Sequence, residues 1–260
     1  MRDVTYPPII VAAKTGFRLL GQRIRIVGAH HVPRRGGVLL AYNHIGYVDF
    51  VYGGLAANPS GRRVRFMAKR ELFDHKITGP IMRSMHHIEV DRGEGLASFQ
   101  LAVDYLRSGE AVGIFPEATI SRAMELKEFK TGAVRIAAAA GVPLVPVILW
   151  GTQRMLTKDH PRDFGRGKTI TISVGAPLHP TAADPETETA ELHRVMSSML
   201  DEAIRAYPAG EQPPGAWWVP RRYGGSAPSL EEAARMDAEE KADRAARRAA
   251  TSLPSPGDSP

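Results

Sequence analysis

The sequence predicts an α/β fold in which a mostly parallel mixed sheet is flanked by helices, with an amphipathic helix at the N-terminus. Short segments such as 111–115 and 144–150 are almost continuously apolar, as expected for strands covered on both faces. They alternate with segments of helical periodicity such as 93–109. A chain of 260 residues, 43% hydrophobic and 24% charged, has room for one large α/β domain or two small ones. This alternation is typical of parallel sheets with helices on both faces.

The first predicted element is a helix from residue 8 to about residue 24, with Pro7 and Pro8 at its start. Its apolar residues recur at helical spacing, whereas Lys14 and Arg18 lie four residues apart on another face. Two interpretations remain open. The helix packs on its own domain, or it lies in a membrane interface with its apolar face among acyl chains and its cations at anionic headgroups. In the second case Phe17 and Leu20 would be membrane contacts.

The remaining pattern divides the chain into elements and then into three parts. Strands are predicted at 23–27, 37–41, 64–68, 87–91, 111–115, 144–150 and 169–174, and helices at 72–85 with an interruption at Gly79-Pro80, 93–109, 130–140, 183–206 and 230–250. Residues 1–30 form the N-terminal helix and first strand, with possible membrane contact. Residues 31–207 form the main domain, and residues 208–260 form a Pro-rich and charged tail that is partly helical or disordered.

The charge distribution predicts an anionic partner. The net charge is +6, and between residues 2 and 35 seven cations face a single acid, Asp3. Such an excess beside an apolar helix fits an anionic membrane surface or a phosphorylated substrate. No nucleic-acid partner is expected, because the cations are not interleaved with a recognition helix or stacking aromatics.

Several classes of protein are excluded by what the composition lacks. The sequence has no cysteine, which rules out disulfides, thiolate metal sites and a cysteine nucleophile. No metal site is expected at His30-His31 or His86-His87, because neighbours on a strand point to opposite faces. No run of roughly eighteen apolar residues predicts a membrane span, and the N-terminus shows no signal-peptide pattern. We therefore expect a protein on the cytoplasmic side.

A polar cluster at 42–50 lies between a predicted strand and a predicted helix, and it contains His44 and Asp49. On one continuous helix these two side chains would point about 140° apart. If Gly46 is the N-cap and Asp49 the third helical residue, His44 lies in the turn and folds back onto the carboxylate. An Asp that accepts the Nδ1 proton of a His leaves Nε2 free as a general base. The alternative is an ordinary surface His near a helix-start Asp.

Polar residues follow the ends of several predicted strands: His44, Lys69, Arg92 and Glu117. In α/β sheets ligands bind beyond the carboxyl ends of the strands. The sequence therefore predicts that these four side chains meet at one rim of the sheet.

Three of four sequence blocks contain these residues, and in these four blocks the chain resembles the glycerolipid acyltransferase family, the lysophosphatidic acid acyltransferase-like group. The resemblance covers roughly residues 33–177. The blocks are Asn43-His44 through Asp49, Lys69 with Gly79-Pro80 and 88–92, Phe115-Pro116-Glu117 through Ser121, and 142–147. The resemblance implies a glycerol-3-phosphate acyltransferase-like fold and makes 31–207 the catalytic domain.

The resemblance also implies a reaction: an acyl group moves from acyl-CoA or acyl-acyl carrier protein to the hydroxyl of a lysophospholipid such as 1-acyl-sn-glycerol-3-phosphate. It implies no cofactor beyond that co-substrate, and a peripheral enzyme on the membrane. His44 would be the general base and Asp49 its orienter. Backbone N–H groups of the His44 turn are one candidate for the oxyanion donors. The residues predicted to bind the acceptor are Lys69, Arg92, Glu117, Thr119 and Arg122.

Two positions of the third block depart from the family pattern. Ala118 stands where the family has glycine, and Ile120 where it has arginine. Losing a guanidinium removes a bidentate phosphate donor. Arg122, Lys127 or Lys130 would then bind the phosphate, or the acceptor is another lysolipid or glycolipid without a terminal phosphate. A non-catalytic lipid-binding protein is the remaining alternative.

Overall fold

A computed structural model describes residues 5–91 and 95–251, with side chains up to residue 247. The strands are β1 (Arg23–Val27), β2 (Val38–Tyr42), β3 (Val64–Lys69), β4 (Ile88–Val90), β5 (Ala111–Ile114), β6 (Leu144–Trp150) and β7 (Thr169–Val174). The helices are α1 (Tyr6–Leu19), α2 (Asp49–Gly53), α3 (Arg70–Asp74), α4 (Thr78–Ser84), α5 (Gly95–Arg107), α6 (Gly132–Ala140), α7 (Pro185–Arg205) and α8 (Leu230–Thr251).

The seven strands form one sheet in the order β1-β7-β6-β2-β5-β3-β4. All neighbouring pairs are parallel except β6 and β7, which are antiparallel. This confirms the predicted mixed, mostly parallel sheet. The carboxyl ends of β2, β5, β3 and β4 therefore lie side by side at one rim, where the sequence predicts the site.

The sheet has an apolar core on each face, as its near-continuous apolar strands predict. One core contains Leu39, Trp150 and the buried faces of α5, α6 and α7. The other contains Tyr42, Phe66 and Phe17 of α1. Each strand of the centre thus sends alternate side chains into a covered layer.

Helix α1 packs on the second of these cores. The Phe17 ring stacks on Tyr52 with centroids 4.5 Å apart, and the Tyr6 hydroxyl donates to the Val64 carbonyl at 2.8 Å. Phe17 is buried, so the expectation that it contacts a membrane is wrong. The large apolar side chains that α1 leaves exposed are instead Val11 and Leu19. Leu20, which follows the helix, is half-buried.

The connection from β3 to β4 differs from the prediction in where it breaks. The two helices are separated at 75–77, and Gly79-Pro80 lies inside the first turn of α4. A Cβ at residue 79 would stand 2.0 Å from the Phe73 carbonyl oxygen, so this close contact requires glycine. Proline is tolerated in a first turn because its missing N–H has no partner there.

Part of the predicted tail belongs to the core. Trp218 and Ala227 are buried in the same cluster as Trp150, and the Trp150 and Trp218 rings lie 5.8 Å apart. The Pro-rich stretch therefore packs on the main body, and α8 follows it. The boundaries at residues 30 and 207 remain predictions, and residues 252–260 lie outside the described residues.

No helix within 5–91 and 95–251 combines the length and the apolar character needed to cross a bilayer. In the same ranges, no three His, Asp or Glu side chains come together as metal ligands.

Candidate active site

The site begins where β2 ends, because Asn43 anchors the following turn to β6. Its amide nitrogen donates to the Leu149 carbonyl at 3.0 Å, and its amide oxygen accepts the Leu149 N–H at 2.7 Å. Asn43 is fully buried, so both bonds are shielded from water. Asn43 therefore fixes the backbone that presents His44.

His44 and Asp49 meet as the sequence predicts. The distance from His44 Nδ1 to Asp49 Oδ2 is 2.9 Å, and Asp49 is fully buried. Helix α2 starts at Asp49 itself, with Val48 as its N-cap, so Asp49 is the first helical residue rather than the third. The Gly46 carbonyl accepts the Asp49 N–H at 3.2 Å, which closes the turn that folds His44 back.

The Asp49 carboxylate accepts four hydrogen bonds. Oδ2 accepts from His44 Nδ1, from the Ile45 N–H at 2.7 Å and from the Gly46 N–H at 2.8 Å. Oδ1 accepts from the Thr152 hydroxyl at 2.6 Å. These donors balance the charge of a buried carboxylate and hold its orientation. A carboxylate facing Nδ1 favours the tautomer with the proton on that nitrogen, which leaves Nε2 as the basic atom.

The His44 ring is held from a second direction by Phe115, which follows β5. The two rings stack with centroids 4.3 Å apart and planes 28° from parallel. The His44 side chain keeps 22% of its surface exposed, whereas that of Asp49 has none. The pair thus combines a buried carboxylate with an imidazole that solvent reaches.

Four backbone N–H groups of the turn, which the sequence offers as oxyanion donors, already have acceptors. The N–H groups of Ile45 and Gly46 donate to Asp49, and that of Tyr47 donates to the Leu156 carbonyl at 2.9 Å. The His44 N–H donates to Glu117 Oε1 at 2.8 Å. Each of these backbone donors already has an acceptor.

Glu117 joins the loop after β5 to the His44 backbone. Its Oε2 accepts the Lys127 N–H at 3.0 Å, while Oε1 accepts from His44. Burial raises the pKa of Glu117 to about 8, and the Lys127 and His44 N–H donors act in the opposite direction. The contact of Glu117 with an acceptor headgroup stays a prediction, since both oxygens already accept backbone hydrogen bonds.

Arg122 lies in an ion-pair network with α8. Its guanidinium contacts Asp159 as well as Asp237 and Glu240 of α8, and only 6% of its side chain is exposed. Lys127 contacts Asp237, and Lys158 contacts both Asp237 and Glu240. Lys158 Nζ also lies 3.3 Å from the Thr119 hydroxyl. Binding of a substrate phosphate by Arg122 or Thr119 stays a prediction. A phosphate at Arg122 would have to displace these carboxylates from the guanidinium.

The other predicted acceptor residues follow β3 and β4. Lys69 is the last residue of β3, two strands from β2 in the sheet, with β5 between them. Its neighbour Arg70 pairs with Glu89 and Asp91. Arg92 lies outside the described residues.

Ala118 and Ile120, the two residues of the third block that depart from the family pattern, differ in backbone conformation and in burial. Ala118 adopts a φ of 58°, in the left-handed region that favours glycine. Ile120 is buried, with 4% of its surface exposed. The side chain at position 120 is therefore part of the packed loop.

Thr152 is the site residue that the sequence does not reveal. It follows β6, outside the four blocks, and a lone Thr after an apolar strand carries no signal of its own. Only the fold brings it to Asp49, 103 positions earlier in the chain.

The chain is similar to known proteins in sequence and in fold. The family model described as Acyltransferase matches residues 23–150. The 1-acyl-sn-glycerol-3-phosphate acyltransferase of Bacillus subtilis is 33% identical over 183 residues, which are 70% of this chain and 86% of that protein. The enzyme of the same name from Borreliella burgdorferi is 26% identical over 198 residues, 74% of each chain.

A crystal structure of the 1-acyl-sn-glycerophosphate (LPA) acyltransferase PlsC from Thermotoga maritima shares the fold. It matches with a TM-score of 0.64 and 23% identity, over 76% of this chain and 79% of that one. The likeness to the Bacillus subtilis enzyme, together with the matched family model, defines an acyltransferase. The chain belongs to the PlsC-type glycerolipid acyltransferase family and is an O-acyltransferase of the 1-acylglycerol-3-phosphate acyltransferase-like kind.

Proposed function

We propose that this protein transfers a fatty acyl chain from an acyl-thioester to the free hydroxyl of 1-acyl-sn-glycerol-3-phosphate, which gives phosphatidic acid. The observation that carries the proposal is the contact of 2.9 Å between His44 Nδ1 and the buried carboxylate of Asp49. The names of the curated relatives from Bacillus subtilis and Borreliella burgdorferi support the acceptor. The donor is acyl-CoA or acyl-acyl carrier protein, and no further cofactor takes part.

In this mechanism His44 Nε2 takes the proton of the acceptor hydroxyl as the oxygen attacks the thioester carbonyl. Asp49 stabilises the imidazolium that forms. The carbon–sulfur bond then breaks, and the thiolate leaves with the proton from Nε2. One carbon–oxygen bond forms, one carbon–sulfur bond breaks, and the hydroxyl proton ends on the sulfur. With one general base the transfer therefore balances within a ternary complex, without an acyl-enzyme.

The acceptor phosphate is expected at Lys69, the last residue of β3. Arg92 belongs to the same block of the sequence and is expected to share this phosphate. After β5, Arg122 already contacts three carboxylates, Asp159, Asp237 and Glu240, so an anion bound to it must compete with them. A Lys69→Ala variant should therefore raise KM for lysophosphatidic acid more than an Arg122→Ala variant of equal stability.

Peripheral membrane contact through α1, on the cytoplasmic side, is part of the proposal. Its exposed apolar residues Val11 and Leu19 lie on the same helix as the exposed Lys14 and Arg18. This combination suits an anionic bilayer surface, from which both a lysophospholipid and a long acyl chain are drawn.

The experiment is acyl transfer from radiolabelled acyl-CoA or acyl-acyl carrier protein to lysophosphatidic acid, glycerol 3-phosphate and an uncharged lysolipid. A folded His44→Ala variant should lose transfer by about 10³-fold or more. His179→Ala, at an exposed His outside the site, should match the wild type. Full activity of His44→Ala contradicts the mechanism.

A second acceptor class has its own support in Ile120, which is buried where the family has an arginine. Transfer only to the uncharged lysolipid would select that class. Absence of transfer with both donors and all acceptors would favour a lipid-binding protein without activity.

A further inference from the structure

The loop of residues 151–157, which follows β6, lies against the turn that holds His44 and Asp49. Besides the bond from Thr152 to Asp49, the Leu156 carbonyl accepts the Tyr47 N–H, and the Thr157 hydroxyl donates to the Ile45 carbonyl at 2.7 Å. A Cβ at residue 46 would stand 3.0 Å from the Leu156 carbonyl oxygen, so glycine there allows the close approach.

The position of Thr152 is set by the residue before it. Gly151 has a φ of 102°, and a Cβ there would stand 2.3 Å from the Thr169 carbonyl oxygen. The chain can therefore turn sharply out of β6 only with glycine at 151. This turn makes Thr152 the first residue of a short helical turn, with its side chain fully buried beside Asp49.

We propose that Thr152 is a positioning residue for acyl transfer, and the inference rests on the proposed function. Its hydroxyl holds Asp49 Oδ1, so that Oδ2 faces His44 Nδ1 and the proton stays on that nitrogen. Oδ1 accepts no other hydrogen bond from the described side chains or backbone, since the remaining three donors converge on Oδ2.

Loss of the Thr152 hydroxyl would leave a buried carboxylate oxygen without a partner. The carboxylate would then turn toward another donor or toward water, and its alignment with His44 would loosen. Misplacement of a base by a fraction of an ångström to 1 Å costs up to about 10²-fold in rate. The loss falls on kcat, because Thr152 is buried behind Asp49 and touches no substrate.

Thr157 provides a matched control. It belongs to the same loop, is also buried and also donates its hydroxyl to the His44 turn. Its acceptor is a backbone carbonyl rather than Asp49. If the loop only anchors the turn, removal of either hydroxyl should have the same effect on activity.

The experiment compares Thr152→Val, Thr152→Ser and Thr157→Val with the wild type. Valine keeps the branched shape and removes the hydroxyl, whereas serine keeps the hydroxyl. Circular dichroism and thermal unfolding report the fold, and steady-state kinetics report kcat and KM. The ¹⁵N spectrum of the His44 imidazole reports which ring nitrogen carries the proton, and it requires no activity.

We expect Thr152→Val to lower kcat about 10- to 100-fold with KM nearly unchanged, and to shift the His44 spectrum away from the Nδ1–H form. Thr152→Ser should restore both, and Thr157→Val should change kcat by less than about threefold at a similar cost in stability. The inference is overturned if Thr152→Val keeps kcat within about twofold, or if Thr157→Val lowers it equally.

Failure of the proposed function would be visible separately. If the wild type transfers no acyl group, the His44 spectrum alone decides the role of Thr152. An unchanged spectrum in Thr152→Val then overturns it, and a shifted spectrum upholds the positioning of Asp49.

Discussion

At the scale of single residues, the backbone of His44 is bracketed by the loop after β5. Its N–H donates to Glu117, and its carbonyl accepts the Ser121 N–H at 2.7 Å. The main chain of His44 is thus attached to this loop at both its N–H and its carbonyl, while its ring contacts Asp49 and Phe115. Small changes in the loop after β5 are therefore expected to reach the His44 ring.

Ala118 is one of two residues of that loop, with Met124, whose backbone φ is positive although they are not glycine. A φ of 58° costs an L-residue roughly 1–2 kcal/mol in the folded state, and glycine at 118 would remove this cost. Glycine also makes the unfolded chain more flexible, which offsets part of the gain. We expect Ala118→Gly to raise the free energy of unfolding by about 1 kcal/mol, as measured by urea denaturation.

The matched control is Ala139→Gly, at an exposed position of α6 with ordinary helical backbone. There the same substitution should lower stability by about 1 kcal/mol. Destabilisation of similar size by both substitutions would show that the loop does not need glycine at 118.

At the scale of elements, helix α8 packs against the cations that the sequence predicts to bind phosphate. Helix α8 contributes Asp237 and Glu240 to the carboxylates that contact Arg122, Lys127 and Lys158. The sequence predicts that Arg122 or Lys127 binds a phosphate. In the structure both cations instead contact Asp237, which lies 115 positions after Arg122 and 110 after Lys127. Burial of Arg122 makes this pairing stronger than an exposed ion pair of the same kind.

Helix α1 presents Val11 and Leu19 outward, and this gives a test of membrane contact. A variant with both changed to Ser should sediment less with vesicles that contain anionic lipid, since about 0.8 kcal/mol is lost for each CH₂ no longer buried. The core side chains Tyr6 and Phe17 are untouched, so the fold should be kept.

The control for this experiment is Phe164→Ser, which removes an exposed aromatic side chain from the segment between β6 and β7. It should sediment like the wild type. Equal sedimentation of the Val11 and Leu19 double variant would place the membrane contact elsewhere.

At the scale of the whole molecule, the buried Glu117 links stability to pH. The pKa of Glu117 is about 8 in the folded protein, against 4.5 as its ordinary value. Between pH 4.5 and pH 8 the folded protein keeps the Glu117 proton that the unfolded chain has lost. The contribution of this proton to stability is complete below pH 4.5. It is lost as the pH rises through 8, by up to about 1.4 kcal/mol per pH unit.

We therefore expect the free energy of unfolding of the wild type to fall relative to Glu117→Gln as the pH rises from 6.5 to 9. This window avoids the opposite effect of His87, whose pKa burial lowers to about 4. Urea denaturation at several pH values measures the difference. Glu128→Gln, at an exposed acid, should run parallel to the wild type. Parallel curves for Glu117→Gln would contradict the linkage.

The sequence by itself determined the strands, their mostly parallel arrangement, the rim at which His44 and Glu117 meet, and the family. It could do so because apolar periodicity is local, and because the acyltransferase motifs are contiguous blocks. The contact between His44 and Asp49 also followed, since a five-residue spacing across one turn leaves few geometries.

Only the tertiary structure decided which residues surround that pair. Thr152 reaches Asp49 across 103 positions, and Asp237 reaches Arg122 across 115, so neither contact leaves a pattern in the local sequence. The burial of Phe17 and the use of both Glu117 oxygens by backbone N–H groups likewise depend on which elements pack together. Hydrogen bonds and ion pairs of this kind are set by the packing of distant segments, which no single stretch of sequence specifies.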